Sequence, residues 1–144
     1  MIPFCMTKKK TPETEREVAA PSAKRVFKTK WFTREAKARK IADSELCDAI
    51  NELLQGQGDD LGGGVWKKRL NKNLDRSIVL AKGGSRWIYA YLFEKKDRAN
   101  IEEDELKAFK KLAKDYEKAS EEQIKDLLKS KELTEICHDC EDKI

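Results

Sequence analysis

The chain has 144 residues, of which 40% are charged and 39% hydrophobic, and its net charge is +4. That length accommodates one domain with one core plus a tail or two, and that balance requires a compact core under a heavily solvated surface. No apolar run is long enough to span a bilayer, and no charged start leads into an apolar signal segment, so a cytoplasmic protein with no membrane partner is expected.

Residues 1–23 contain all three prolines (Pro3, Pro12, Pro21) and the run Lys8-Lys9-Lys10, with few core-type residues. They read as a mobile leader, with Met6 as an alternative start. The domain proper is expected at 24–136, and residues 137–144 form a C-terminal tail. Arg25–Phe32 reads as the first strand, its apolar mass coming from Val26, Phe27, Trp31 and Phe32. Thr33 is placed to cap a helix with Ala36 and Ile41 on its inner side. A second helix follows from Ser44, where Leu46, Cys47, Ile50, Leu53 and Leu54 repeat at helical spacing. Cys47 falls on that stripe as a small core residue.

The run Gly62-Gly63-Gly64 lacks the ending of a nucleotide-binding loop and precedes a strand, so a flexible entry into the sheet is expected. Val65–Leu70, Arg76–Ala81 and Trp87–Phe93 read as three strands, with a hairpin turn at Lys82-Gly83-Gly84-Ser85. The unbroken apolar run of the last suits a central strand. Asn100 with Glu103, and Ser120 with Gln123, have the spacing of capping boxes that open two C-terminal helices. The expectation is an α+β fold: an N-terminal strand and helix pair, then a mainly antiparallel sheet of four strands in all, with helices at the C-terminus.

Charge is unevenly distributed. Residues 24–98 carry eighteen bases and ten acids, whereas residues 99–144 carry nine and fourteen. Between Val65 and Arg98 ten Lys or Arg stand against three acids, interleaved with Trp66, Trp87, Tyr89, Tyr91 and Phe93. Cations on a small sheet with rings among them suit a polyanion whose bases can stack, RNA above all.

The four cysteines, Cys5, Cys47, Cys137 and Cys140, form no secreted framework, and reduced thiols are expected. Cys137-His138-x-Cys140 could supply three metal ligands, but a fourth ligand and a second paired motif are missing, so no metal and no cofactor is expected. The sequence has no zincin motif, no carboxylate cluster for two metals and no serine triad, and His138 is its one histidine. Catalysis of RNA cleavage by 2′-OH attack would therefore fall to Lys, Arg or Tyr, which can move protons and stabilise a charged phosphorane.

Three segments carry a resemblance: LGGGVWKKRL (Leu61–Leu70), FEKKDRANI (Phe93–Ile101) and DELKAFKKLA (Asp104–Ala113). Together they resemble the RelE/ParE superfamily, in particular the HigB-like RelE-type toxins of bacterial type II toxin–antitoxin systems. The resemblance implies a RelE-like fold and a metal-independent, ribosome-dependent mRNA endoribonuclease that inhibits translation. It also implies a cognate antitoxin, of helix-turn-helix type, with operator DNA met only through that antitoxin.

By the same resemblance, Arg76 would stabilise the transition-state phosphate, and Lys95 and Arg98 would act as acid/base or charge-stabilising groups. Lys67, Lys68, Arg69, Lys72 and Arg86 are the candidate RNA-binding residues. For Arg98 an ion pair with an acid of the following helix is the competing reading. One departure stands out: where many relatives have a longer loop ending in a tyrosine before the arginine, this chain has Asn71-Lys72-Asn73-Leu74 and then Asp75. Asp75 could serve as a base or weaken the local positive field, and Tyr89 and Tyr91 are the tyrosines that could substitute. Two rival functions remain open: a ParE-like toxin that acts on gyrase by protein contact, and a non-catalytic RNA- or ribosome-binding module.

Overall fold

A computed structural model describes residues 25–82 and 85–137. The 1–23 leader with Lys8-Lys9-Lys10, the Gly83-Gly84 turn, and His138 and Cys140 lie outside the described residues. The elements run β1 (Arg25–Thr29), α1 (Lys30–Ala38), α2 (Asp43–Leu54), β2 (Asp59–Gly62), β3 (Val65–Leu70), β4 (Asp75–Leu80), β5 (Arg86–Glu94), α3 (Glu103–Lys118), α4 (Glu121–Lys129) and β6 (Leu133–Ile136).

The sheet has six strands in the order β2-β3-β4-β5-β1-β6, which corrects the expected four. Every neighbouring pair is antiparallel except β1 and β5, which run parallel. A parallel partner for β1 is what the intervening helices and hairpins allow, since parallel strands need a long crossover. β2 and β6 escape sequence reading because each has four residues, Asp-Asp-Leu-Gly and Leu-Thr-Glu-Ile, and forms by pairing with distant partners.

Side chains alternate across the sheet and divide the core in two. On one face Val26, Val79, Trp87 and Tyr89 pack under Phe32 and Ala36 of α1 and Leu46, Ile50 and Leu53 of α2. On the other, Phe27, Val65, Ile78, Leu80 and Ile88 pack under Ala113 of α3 and Ile124 of α4. Tyr89 is fully buried on the first face, and its hydroxyl donates to the Leu46 carbonyl at 2.6 Å.

The first strand is shorter than expected. The Thr29 hydroxyl accepts from the Phe32 backbone N–H and starts α1 four residues before the expected cap at Thr33, so Trp31 and Phe32 are helical. The cap of α3 likewise shifts from Asn100 to Glu102, whose reciprocal partner is Glu105 rather than Glu103. The Ser120–Gln123 box is present as expected. Gly62-Gly63-Gly64 forms a tight β2–β3 hairpin at φ values of 94°, 62° and 87°, not a flexible entry. A Cβ on Gly64 would stand 2.7 Å from that of Lys82, so the close approach also requires glycine there.

The expectation of reduced thiols is corrected for two cysteines. Cys47 of α2 and Cys137, directly after β6, form a disulfide with Cα atoms 5.6 Å apart. Their separation of 90 residues in sequence hides a proximity that only the β6–β1 pairing creates. Cys137 is thereby unavailable as a metal ligand while the bond is intact.

Candidate nucleic-acid interface

The β3–β4 and β4–β5 registers bring Arg69, Arg76 and Phe93 side by side across three strands. One residue along each strand, on the opposite face, lie Leu70, Asp75 and Glu94. Alternation thus separates charge by sign at this end of the sheet. Arg39, at the C-terminus of α1, bridges both acids, reaching Asp75 at 3.0 Å and Glu94 at 3.2 Å. Asn71 Nδ2 donates to the second oxygen of Asp75 at 2.9 Å. Asp75 is therefore a buried anchor on the α1/α2 face. It is not a base facing the Arg76 side, and its charge is offset by Arg39.

Arg76 is only 7% exposed. Its Nη1 donates to the carbonyls of Asn73 and Asp75 at 3.0 and 3.1 Å, which orients the guanidinium. Arg69, directly opposite, is exposed, and among the described residues neither arginine has a carboxylate partner. Like charges directly opposite in a sheet are destabilising, so this pair is an arrangement that an external anion would relieve. Two planar guanidinium groups side by side suit phosphate, whose oxygens accept bidentate bonds.

The other candidates divide in position. Lys95 follows β5, is exposed, and its backbone N–H donates to Leu74 at 3.0 Å, which ties it to the turn bearing Lys72. Asn71, Lys72 and Asn73 all have positive φ, between 54° and 71°, and this three-residue left-handed arc presents Lys72 to solvent. Lys67 shares the Arg69 face and approaches Asp59 at 3.6 Å. Lys68 projects to the other face and pairs with Glu52 of α2 at 2.7 Å. A groove of about 320 Å³ lined by Gln57, Gly58, Asp59, Lys67, Lys68 and Arg69 runs over this edge, where β3 extends past the end of β2.

Arg98 lies over the Phe93 ring at 5.5 Å and forms a two-pronged pair with Glu105 of α3, while its Nε donates to the Asn100 carbonyl. The hydrogen bond to Glu105, with its charge, raises the Arg98 pKa. The same bond, followed by that from the Glu102 N–H, holds the Glu105 carboxyl below its ordinary value. Arg98 is thus coupled to the cap of α3.

Arg86 stands apart. It begins β5 and Glu94 ends it, and that span is about 26 Å at the usual rise per residue. Its guanidinium donates to the Tyr116 and Ala119 carbonyls at 2.8 and 2.7 Å, closing the C-terminus of α3, and also reaches Glu121. The structure does not bring Arg86 to the Arg69–Arg76 end.

Of the two tyrosines, burial raises the Tyr89 pKa, with Glu45 and Glu52 adding to it, and its hydroxyl is committed to the core. Tyr91 lies on the Arg76 side of β5, half exposed, with Phe93 at 5.9 Å and Trp31 stacked on it at 5.0 Å. Sequence reading passes over Arg39 and Trp31 here. For Trp31 the signal is Thr29 as a cap ahead of Phe32 and Ala36, which moves the tryptophan from strand to helix.

Among the described residues no group of three or more His, Cys, Asp or Glu is placed to hold a metal, and no helix is long and apolar enough to cross a membrane. Residues 24–136 match the family model described as the RelE toxin of the RelE / RelB toxin–antitoxin system. No curated protein and no solved structure matches the chain.

Proposed function

The chain belongs to the RelE toxin family, and from that premise we propose that it cleaves mRNA on the ribosome without a metal ion. The observation that carries this reading is the Arg69–Arg76 pair at one sheet end, which has no carboxylate partner among the described residues, with Asp75 and Glu94 turned to the opposite face.

Arg76 stabilises the charge that develops on the phosphorane, because its orientation is fixed by two backbone carbonyls before substrate arrives. Arg69, Lys67 and Lys72 hold the neighbouring phosphates, and Lys68 joins them only by leaving Glu52. The 2′-OH attacks phosphorus and gives its proton to solvent water, the P–O5′ bond breaks and the 5′-oxygen gains a proton, and the products are a 2′,3′-cyclic phosphate and a 5′-OH. The solvent-exposed ammonium of Lys95 is the proton donor to that oxygen. Arg98 contributes charge while it holds α3 through Glu105. In this reading the ribosome supplies the outside scaffold that holds the message in line.

The family implies an antitoxin partner. We place a helix-turn-helix protein in that role, meeting operator DNA on the toxin's behalf. Two observations favour a non-catalytic binding module as second reading: Arg98 is committed to Glu105, and no tyrosine stands beside Arg76 in the β4 sequence.

The end chemistry of the product tests the mechanism. Purified protein added to translating ribosomes should give message fragments with 5′-OH and cyclic-phosphate ends. Fragments with 5′-phosphate would point to activated water and reject 2′-OH attack, and intact message would favour the binding module.

A further inference from the structure

We propose that the outer face of α1 binds the single-stranded message flanking the cleaved phosphate, with Trp31 stacking on one base and Lys30, Arg34 and Lys37 contacting phosphates. The inference rests on the nuclease reading for the identity of the strand, and on α1 alone for the contact surface.

Phe32 and Ala36 fix the inward side of α1. Positions 30, 34 and 37, at spacings of four and three, then fall together on the outward side. All three are exposed, and among the described residues none has an acidic partner. Like charges at this spacing destabilise a helix, a cost that a bound anion offsets. Among the part-buried cations, Arg25 and Arg86 share Glu121, and Lys68 takes Glu52.

Trp31 supplies the second observation. It is 37% exposed, an unusual position for the largest apolar side chain. Tyr91 stacks on its ring at 5.0 Å and 28° between planes. The aromatic line continues from Tyr91 to Phe93 at 5.9 Å, and Arg98 covers Phe93. It therefore leads from α1 to the strand position directly opposite Arg76. The other end of α1 is fastened there as well, through Arg39 to Asp75 and Glu94. A stacking platform beside a row of cations is the arrangement that suits single-stranded nucleic acid.

The test uses the full chain and a fluorescent 2′-O-methyl oligoribonucleotide, which cannot be cleaved, with anisotropy read over a range of salt. The combined variant Lys30→Gln, Arg34→Gln, Lys37→Gln should flatten the slope of log affinity against log salt by about two, at roughly 0.7 per lost single-strand contact. Trp31→Ala should weaken binding about tenfold or more, and Trp31→Phe should retain most of it. Because the three glutamines replace exposed side chains, that variant stays informative even where Trp31→Ala loses fold.

Wild-type affinity and slope in the triple variant would overturn the proposal whether or not the protein cleaves message. Unchanged oligonucleotide binding with weakened ribosome binding would assign α1 to ribosomal RNA, and would equally overturn it. Oligonucleotide binding through α1 in a protein that never cleaves would leave this surface standing and remove the nuclease reading instead.

Discussion

Arg69 and Lys68 are adjacent bases on β3 with opposite surroundings. Arg69 faces Arg76 and has no acidic partner among the described residues, whereas Lys68 crosses to α2 and pairs with Glu52. If the Arg76 face receives RNA, Arg69→Ala should lower cleavage about tenfold or more, and Lys68→Ala should lower it much less. Rates measured for the two variants at equal protein and ribosome concentrations check this, and equal losses would mean that both faces of β3 touch RNA. The sequence identifies the bases but only the strand period separates them. Asp75 illustrates the same point: its proximity to Arg76 in sequence suggests a base at the phosphate, whereas alternation turns it to Arg39 and Asn71. Arg86 carries an identical signal in sequence and serves α3 instead, because its place at the start of β5 is a long-range fact.

Helices α3 and α4 are fastened to the sheet by carboxylates whose pKa values fall on folding. Arg98 does this for Glu105, and Arg86 followed by Arg25 does it for Glu121. A depressed folded-state pKa contributes stability that is fully present above the ordinary value of 4.5 and is lost as pH falls through the folded value. Both carboxylates are solvent-accessible, so screening limits the effect. Protection factors of the amides at the start of α3 and α4 should therefore fall below about pH 4.5 while those of the β4–β5 core hold. Uniform exchange across all elements would show that these ties do not act locally.

At this same scale, β3, β4 and β5 are legible because β-prone apolar runs announce them. α4 is legible from its Ser120–Gln123 box. β2, β6 and the start of α1 are not: the first two are pairing effects, and Trp31-Phe32 looks like strand until Thr29 is seen as a cap.

Across the whole molecule, the Cys47–Cys137 bond joins α2 to the segment after β6 and closes a loop of 90 residues. Reduction should lower the unfolding free energy by about 2–4 kcal/mol, read from denaturant titrations with and without a thiol reductant. No change would mean that the bond does not form in solution. The charge surplus of residues 24–98, visible in sequence, becomes in three dimensions a division of the sheet into two ends. At one end Arg25 and Arg86 are neutralised by Glu121 and Glu135. At the other, Arg69 and Arg76 have no carboxylate partner among the described residues, and that difference is the physical basis for the proposed site.

The most direct test maps message 5′ ends in bacteria expressing the protein or its Arg76→Ala variant at equal levels. A ribosome-dependent nuclease centred on Arg76 gives new ends inside translated codons, reduced about a hundredfold or more in the variant, with the fold unchanged. New ends of equal abundance in Arg76→Ala, or growth arrest with no new ends at all, would contradict it.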